Sequence, residues 1–308
     1  LTVETAEIAE SRLGPTGVVI RTLNEGEHLA SCLETLQRQR PQFDLDVVVV
    51  DSGSTDATVD IARKHGAKVV ELSPSEFDYS KALNLGIKSV RGDIVVSLSA
   101  HAIPVDDSWL DRMTGPFAAA DVAGVYSRQV PWPDAPWQEV HRLDEQFGTT
   151  GRVHDRGNAD DIVFSNAASA LRRSVWLAEP FTLPAVEDLD WARRVVAAGW
   201  KIVYQPEAAV YHSHHENARA QARRLIDINR VGDSGRIPRT RRRTLREAAG
   251  LVFRESRKIM RLDEPLRRKL SYLEDLLGVA FYYVVDFTRV GTTAERRRED
   301  SDARTASS

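Results

Sequence analysis

Four valines in a row stand between two aspartates in LDVVVVD, residues 45–51. A strand with one solvated face alternates apolar and polar side chains, and this one does not. A short uninterrupted β-branched run reads as a strand buried on both faces, as in a parallel sheet covered by helices on each side. GVVIRT (17–22), AKVVEL (67–72) and DIVVSLS (93–99) are further runs of the same kind. Helical patterns separate them. EGEHLASCLETLQRQ spaces Leu29, Cys32, Leu33 and Leu36 along one face, and STDATVDIARKHG offers Ser54 or Thr55 as a cap, with Gly66 just past its end. YSKALNLGIKSV completes the alternation. The order βαβαβαβ predicts a Rossmann-like α/β fold, its mostly parallel central sheet flanked by helices and joined by right-handed crossovers.

Ligands of open sheets bind beyond the carboxyl ends of the strands, so Thr22 to Glu25, Asp51 to Ser54 and Ser99 to His101 are the informative stretches. All three are polar. RTLNEGEH after the first strand lacks the G-x-G-x-x-G of a dinucleotide site, and no Walker A loop is present. Asp51 before Ser52-Gly53-Ser54 suits a carboxylate facing a nucleobase or ribose, and suits a turn former equally. Further on, DSWLDRMTGPFAAA reads as a helix, GVYSRQV as a strand and PWPDAPW as a loop. DIVFSNAASALRRSVW reads as a strand followed by an ordered turn. EDLDWARRVVAAGW is a helix ending at Gly199, and KIVYQPEAAVYH gives two short strands around Pro206.

Taken in order, VVIRTLNEGEHLASCLETLQRQ, VVVVDSGSTDATVDIARKHGA, FDYSKALNLGIKSVRGDIVVSLSAHAIP and EDLDWARRVVAAGWKIVYQPEAAVYH resemble the GT-A fold family 2 glycosyltransferases, over about Thr16 to His215. The resemblance implies inverting transfer of a sugar from a nucleoside-diphosphate donor to an acceptor hydroxyl. It puts Thr22 and Glu25 at the nucleoside, Asp51 at the base and Lys81 near the nucleotide or its phosphates. A first-turn glutamate and an exposed helical lysine are the plain readings of Glu25 and Lys81.

Where the family carries Asp-x-Asp, this chain has Ser99-Ala100-His101. A divalent cation, Mn²⁺ or Mg²⁺, is the expected cofactor: neutral imidazole is a ligand for Mn²⁺ and similar ions, with diphosphate oxygens and water completing the shell, and serine suits a ribose or water contact. His101 and His212 are the expected metal ligands, His214 and His215 following close behind as alternatives to His212. Glu187-Asp188 falls at the family's acidic pair, which makes Asp188 the expected general base. Asn166, Glu187 and Trp191 are expected to face the acceptor, while Asp190 and Arg194, four apart, form a plain ion pair. The competing reading is a nucleotide-sugar-binding protein whose catalysis was impaired with the loss of the acidic pair.

The chain of 308 residues divides by composition into a flexible arm at 1–15, a catalytic domain at 16–229, a basic helical region at 230–290 and a disordered tail at 291–308. From Arg230 to Lys269 there are 14 Lys/Arg against 5 Asp/Glu. Such a run suits a solvated helix face, a dimer contact or an anionic membrane surface, and no nucleic-acid motif accompanies it. The single cysteine, Cys32, excludes an internal disulfide and suits a reducing compartment. No leader opens the sequence, and no run reaches the roughly 18 apolar residues of a spanning helix. A cytoplasmic protein, at most peripheral on the inner face of the membrane, is expected.

Overall fold

The computed structural model describes residues 15–39, 44–133, 135, 137–158, 162–212, 218–232 and 241–305. The first half follows the predicted alternation: β1 (Thr16–Thr22), α1 (Gly26–Arg38), β2 (Leu45–Asp51), α2 (Thr58–Lys64), β3 (Lys68–Glu71), α3 (Tyr79–Ser89) and β4 (Ile94–Ser99). Next come β5 (Ile103–Pro104), α4 (Trp109–Thr114) and β6 (Val122–Val130), then α5 (Trp137–Gln146) and β7 (Arg152–His154). The series closes with β8 (Ala168–Arg172), α6 (Arg173–Ala178), α7 (Glu187–Ala197) and β9 (Lys201–Tyr211). The strands form one sheet in the order β3-β2-β1-β4-β8-β6-β9-β5, with β7 on β9. β1 is parallel to β2 and β4, β2 to β3, and β6 to β9, while β8 runs antiparallel between β4 and β6. The carboxyl ends of β1 to β4, β6 and β9 therefore share one edge, and the amino end of β8 meets them there.

The valine run shows why the sheet needs two covers. Val49 belongs to one core with Val18, Ile20, Leu29 and Leu36, whereas Val48 and Val50 belong to a second with Val19, Leu83 and Ile87. Val48, Val49 and Val50 are fully buried, each contributing about 1.5–3 kcal/mol of transfer free energy. Cys32 lies in the first core, where burial pushes its thiol up to about 12, so it is an inert packing group. In α3, Gly86 permits close contact with the sheet: a Cβ there would lie 2.3 Å from Val19 Cγ1 and 3.0 Å from Val50 Cγ2. Gly86→Ala is expected to lower stability by about 1–3 kcal/mol through overpacking, seen as a lower urea midpoint; an unchanged midpoint would contradict this packing.

The later elements depart from the sequence reading, among other places at RRSVW, where the ordered turn expected is the helix α6. IVFS, residues 162–165, is not a strand; it is irregular, and the strand starts at Ala168. The residue after IVFS directs its backbone to a side chain, Asn166 N–H donating to Asp188. KIVYQPEAAVYH is one strand, β9, and its pairing with β6 jumps from Gln205 to Ala209 between Ser127 and Arg128. Pro206 falls in that bulge, where its missing N–H costs no ladder bond. The 109–118 stretch is helical as read, with its second half, Gly115–Ala118, tightened to 3-10 geometry at Pro116.

The chain divides into two compact units. One carries the sheet, up to residue 134 and again from 142 to 213; the other takes 135–141 and the chain from 214. The second unit contains α8 (Ala218–Gly232), α9 (Arg241–Arg261) and α10 (Leu266–Thr305), around Ala222, Ile226, Ala248, Val279, Ala280 and Tyr283. α8 thus begins before Asn229, where composition places the change of character, and runs through it, and α10 continues past residue 291. Among the described residues no helix is long and apolar enough to cross a membrane.

Candidate active site

At the shared edge Thr22 pairs in register with Asp51, and Arg21 with Ser99. Asp51 is 3% exposed. Its Oδ2 accepts from the N–H groups of Gly53 and Ser54, each at 3.0 Å, while Oδ1 and Thr22 Oγ1 are buried with no hydrogen-bond partner among the described residues. Two buried acceptors left unmatched at a sheet's ligand-binding edge are costly unless something arrives to match them. Gly53 has φ of 97° and sits so close to Pro74 that a Cβ would be 2.5 Å from its Cγ. The loops after β1 and β2 are stapled together. Asn24 N–H donates to Ser54 Oγ and Asn24 Oδ1 accepts from Thr55 N–H, both at 2.8 Å, and Glu25 N–H donates to Thr58 Oγ1 at 2.9 Å. Ser54 and Thr55 are thereby committed to this staple rather than to a cap, and α2 starts only at Thr58.

Beside that staple is a cluster of imidazoles. Glu25 Oε1 accepts from His101 Nδ1 at 2.8 Å, and Oε2 lies 3.3 Å from His28 Nδ1. Burial alone would raise the Glu25 carboxyl, but the hydrogen bonds and charge of the two histidines hold it below its ordinary value. Ser99 Oγ is 3.3 Å from both nitrogens of His101. His101 stacks on His212, with centroids 4.9 Å apart and planes 12° from parallel. His212 Nδ1 in turn donates to Gln129 Oε1 at 2.8 Å, and Gln129 Nε2 to Ser165 Oγ at 2.9 Å. When either ring is neutral, the acceptor at Nδ1 fixes the proton there and puts the lone pair on Nε2, which in His101 lies 3.3 Å from Ser99 Oγ. Trp132 stacks on Tyr211 at 4.9 Å and lies 6.4 Å from His28.

The third part of the edge is acidic. Val186 has φ of 54°, left-handed geometry that a β-branched residue holds at a cost of about 1–3 kcal/mol. It turns the chain into α7, whose first residues are Glu187 and Asp188. Glu187 is buried and its Oε1 accepts from Asn166 Nδ2 at 3.3 Å. Asp188, partly open to solvent, accepts from Leu189 N–H at 2.8 Å and Asn166 N–H at 3.3 Å. Desolvation first, and then the Glu187 charge, push the Asp188 carboxyl up to about 7, although the two N–H groups and Arg21 pull the other way. The whole edge is thus linked: Glu25 reaches His101, His101 stacks on His212, and Gln129 and Ser165 lead to Asn166 and Asp188. A groove of about 410 Å³ lined by Leu33, Leu36, Leu45 and His65 lies instead at the amino ends of β2 and β3.

A family model described as Glycosyl transferase family 2 matches residues 17–176. The chain belongs to that family. Its relatives include the O-antigen chain rhamnosyltransferase WbaN of Salmonella anatum, 32% identical over 190 residues that make up 59% of this chain and 60% of WbaN. RfbN of Salmonella typhimurium, also an O-antigen chain rhamnosyltransferase, is 27% identical over 220 residues, 68% of this chain and 70% of its own. In fold, the chain is similar to the mannosyltransferase PcManGT from Pyrobaculum calidifontis, solved in complex with GDP-Man and Mn²⁺. The TM-score is 0.52 and the identity 18%, over 92% of this chain and 75% of the other.

Within this family 2 site, several expectations change. Trp191 is fully buried among Phe164 and Phe181, and its Nε1–H donates to Glu179 O, so it is a core residue and not a cleft wall. Asn166 is 1% exposed and spends its amide on Glu187 and Ser169, which makes it a brace behind the acidic pair rather than an acceptor contact. Lys81 reaches Asp78 Oδ2 at 3.1 Å and Glu76 O at 3.2 Å, on an exposed turn. Asp190 and Arg194 do form their ion pair, at 2.9 Å. His214 and His215 lie outside the described residues. Sequence reading missed Asn24, whose φ of 54° is a conformation asparagine tolerates. It also missed Arg21, a charge inside an apolar strand, whose guanidinium lies 5.1 Å over the Tyr79 ring and whose buried Nε has no hydrogen-bond partner among the described residues. Gln129 carried no signal in the sequence.

Proposed function

We propose that the protein transfers a sugar from a nucleoside-diphosphate donor to a glycan hydroxyl with inversion, Asp188 accepting the hydroxyl proton. The linked edge running from Asp51 through His101 and His212 to Asp188 carries this reading, because it gathers the groups such a reaction needs. The buried, unmatched Oδ1 of Asp51 and Thr22 Oγ1 would meet the nucleoside. A carboxyl raised to about 7 is matched to taking a proton near neutral pH. As the hydroxyl oxygen attacks the anomeric carbon, the bond to the diphosphate breaks on the opposite side, which inverts that centre. Two relatives named for O-antigen chain rhamnosyl transfer support a deoxyhexose donor and a growing polysaccharide acceptor.

The donor set also fits a divalent cation. Among the described residues no three His, Cys, Asp or Glu side chains gather as a metal cluster. Two Nε2 atoms, from His101 and His212, would have to be completed by diphosphate oxygens and water, a set that favours Mn²⁺ over Mg²⁺. When bound there, the ion supplies charge compensation for the departing diphosphate. Metal titration of turnover tests the assignment: His101→Ala and His212→Ala should each need about ten times more Mn²⁺ or worse. An unchanged requirement in both would remove it. The second reading, a donor-binding protein without catalysis, is favoured only by Ser99 and His101 standing at the acidic pair's position; it predicts donor binding with no transfer at any Mn²⁺ or Mg²⁺ concentration.

A further inference from the structure

The second unit presents an outward surface that the sugar chemistry does not use. On α9, Leu245, Phe253 and Met260 are 47%, 64% and 52% exposed. Spaced by eight and seven residues, they fall within an arc of about 80° on a helix turning 100° per residue. Arg246, Arg254, Arg257 and Arg261, all exposed, form a second stripe directly beside them. Arg257 lies 5.6 Å over the Phe253 ring, so the two stripes touch.

The charges are sorted as well. α9 carries eight Lys/Arg and two Glu. Both glutamates are partly buried and engaged: Glu247 accepts from Tyr283 Oη at 3.0 Å, and Glu255 pairs with Lys258 at 3.2 Å and lies 3.9 Å from His141. Neither acid is among the exposed residues. On α10 a further exposed apolar row, Leu266, Leu270, Leu277 and Phe281, is accompanied by exposed Glu274 and Asp275, and so is less suited to anions.

We propose that the outward face of α9 docks the protein on an anionic lipid surface, Phe253 and Met260 entering the headgroup boundary while the arginine stripe meets lipid phosphate. A self-complementary dimer through this face is disfavoured by its charge, because a two-fold axis would set one arginine stripe against the other. An anionic bilayer supplies the opposite sign at the depth an amphipathic helix occupies. The absence of a spanning helix among the described residues makes this contact a surface one.

Flotation of the full chain tests it, with vesicles of phosphatidylcholine alone and vesicles containing one third phosphatidylglycerol. The chain should float with the anionic vesicles only, and less as salt rises. Replacing Arg254, Arg257 and Arg261 together by Gln should weaken partition about a hundredfold, from three lost basic contacts. Phe253→Glu, at an exposed position where folding is preserved, should abolish flotation with sugar transfer in detergent-free solution unchanged. Failure of the parent chain to float, equal flotation with neutral vesicles, or normal flotation of both variants would each overturn the proposal. Loss of a sedimenting dimer in Phe253→Glu, without any lipid binding in the parent, would replace it with self-association.

Discussion

Asp188→Asn is expected to lower the rate of transfer by about a thousandfold or more while leaving donor affinity within about threefold, since a positioned base contributes roughly 10²–10⁴ to rate. Asparagine preserves the size and leaves one oxygen for Leu189 or Asn166 N–H, but cannot take a proton. The same substitution should stabilise the fold at high pH. The folded-state carboxyl is raised above its ordinary 3.8, so the native state holds its proton to higher pH than the unfolded state. Wild type therefore loses stability from this group as pH rises from about 4 through about 7. A shift of that size corresponds to at most about 4 kcal/mol; partial exposure and one lost N–H bond reduce the net gain to about 1–2 kcal/mol. Melting curves should separate above neutrality and converge in acid. Normal turnover in the variant, or a stability difference independent of pH, would contradict the assignment.

Asp51→Ala is expected to weaken donor binding by about ten- to a hundredfold, the range of a hydrogen bond to a charged acceptor at about 1.5–3 kcal/mol. Two effects add. The ligand loses the acceptor Oδ1, and the Gly53 and Ser54 N–H groups lose the carboxylate oxygen that shapes the loop. Isothermal titration with UDP-, dTDP- and GDP-sugars would measure the loss and reveal which base the site prefers. An affinity unchanged for every donor that the parent binds would show that Asp51 only shapes its turn.

Much of the fold was legible because the signals were local. The run Val47 to Val50 dictates a strand covered on both sides, and alternate valines do enter different cores. The strand was misplaced because IVFS has strand composition, whereas residues 162–165 are irregular and the strand begins only at Ala168, after Asn166 N–H has turned to Asp188. The places of Asp51 at the end of β2 and of His101 just past β4 could be read from the sequence, because they follow from the strands themselves. Trp191 could not, since an aromatic on an amphipathic helix looks the same whether it lines a cleft or fills a core, and here Phe164 and Phe181 decide it. The tautomer of His212 depends on Gln129, 83 residues away, and no spacing rule links them.

The pH dependence of kcat/KM for transfer probes the proton acceptor itself, and comparing the parent with Glu187→Gln makes the result specific to Asp188. The Glu187 charge helps raise the Asp188 carboxyl, while glutamine keeps an oxygen for Asn166. The parent should show a rising limb with its midpoint at about 7, and Glu187→Gln should move that midpoint to lower pH without abolishing the limb. A profile flat through neutrality, or a midpoint that stays in place when the neighbouring charge is removed, would mean that another group takes the proton.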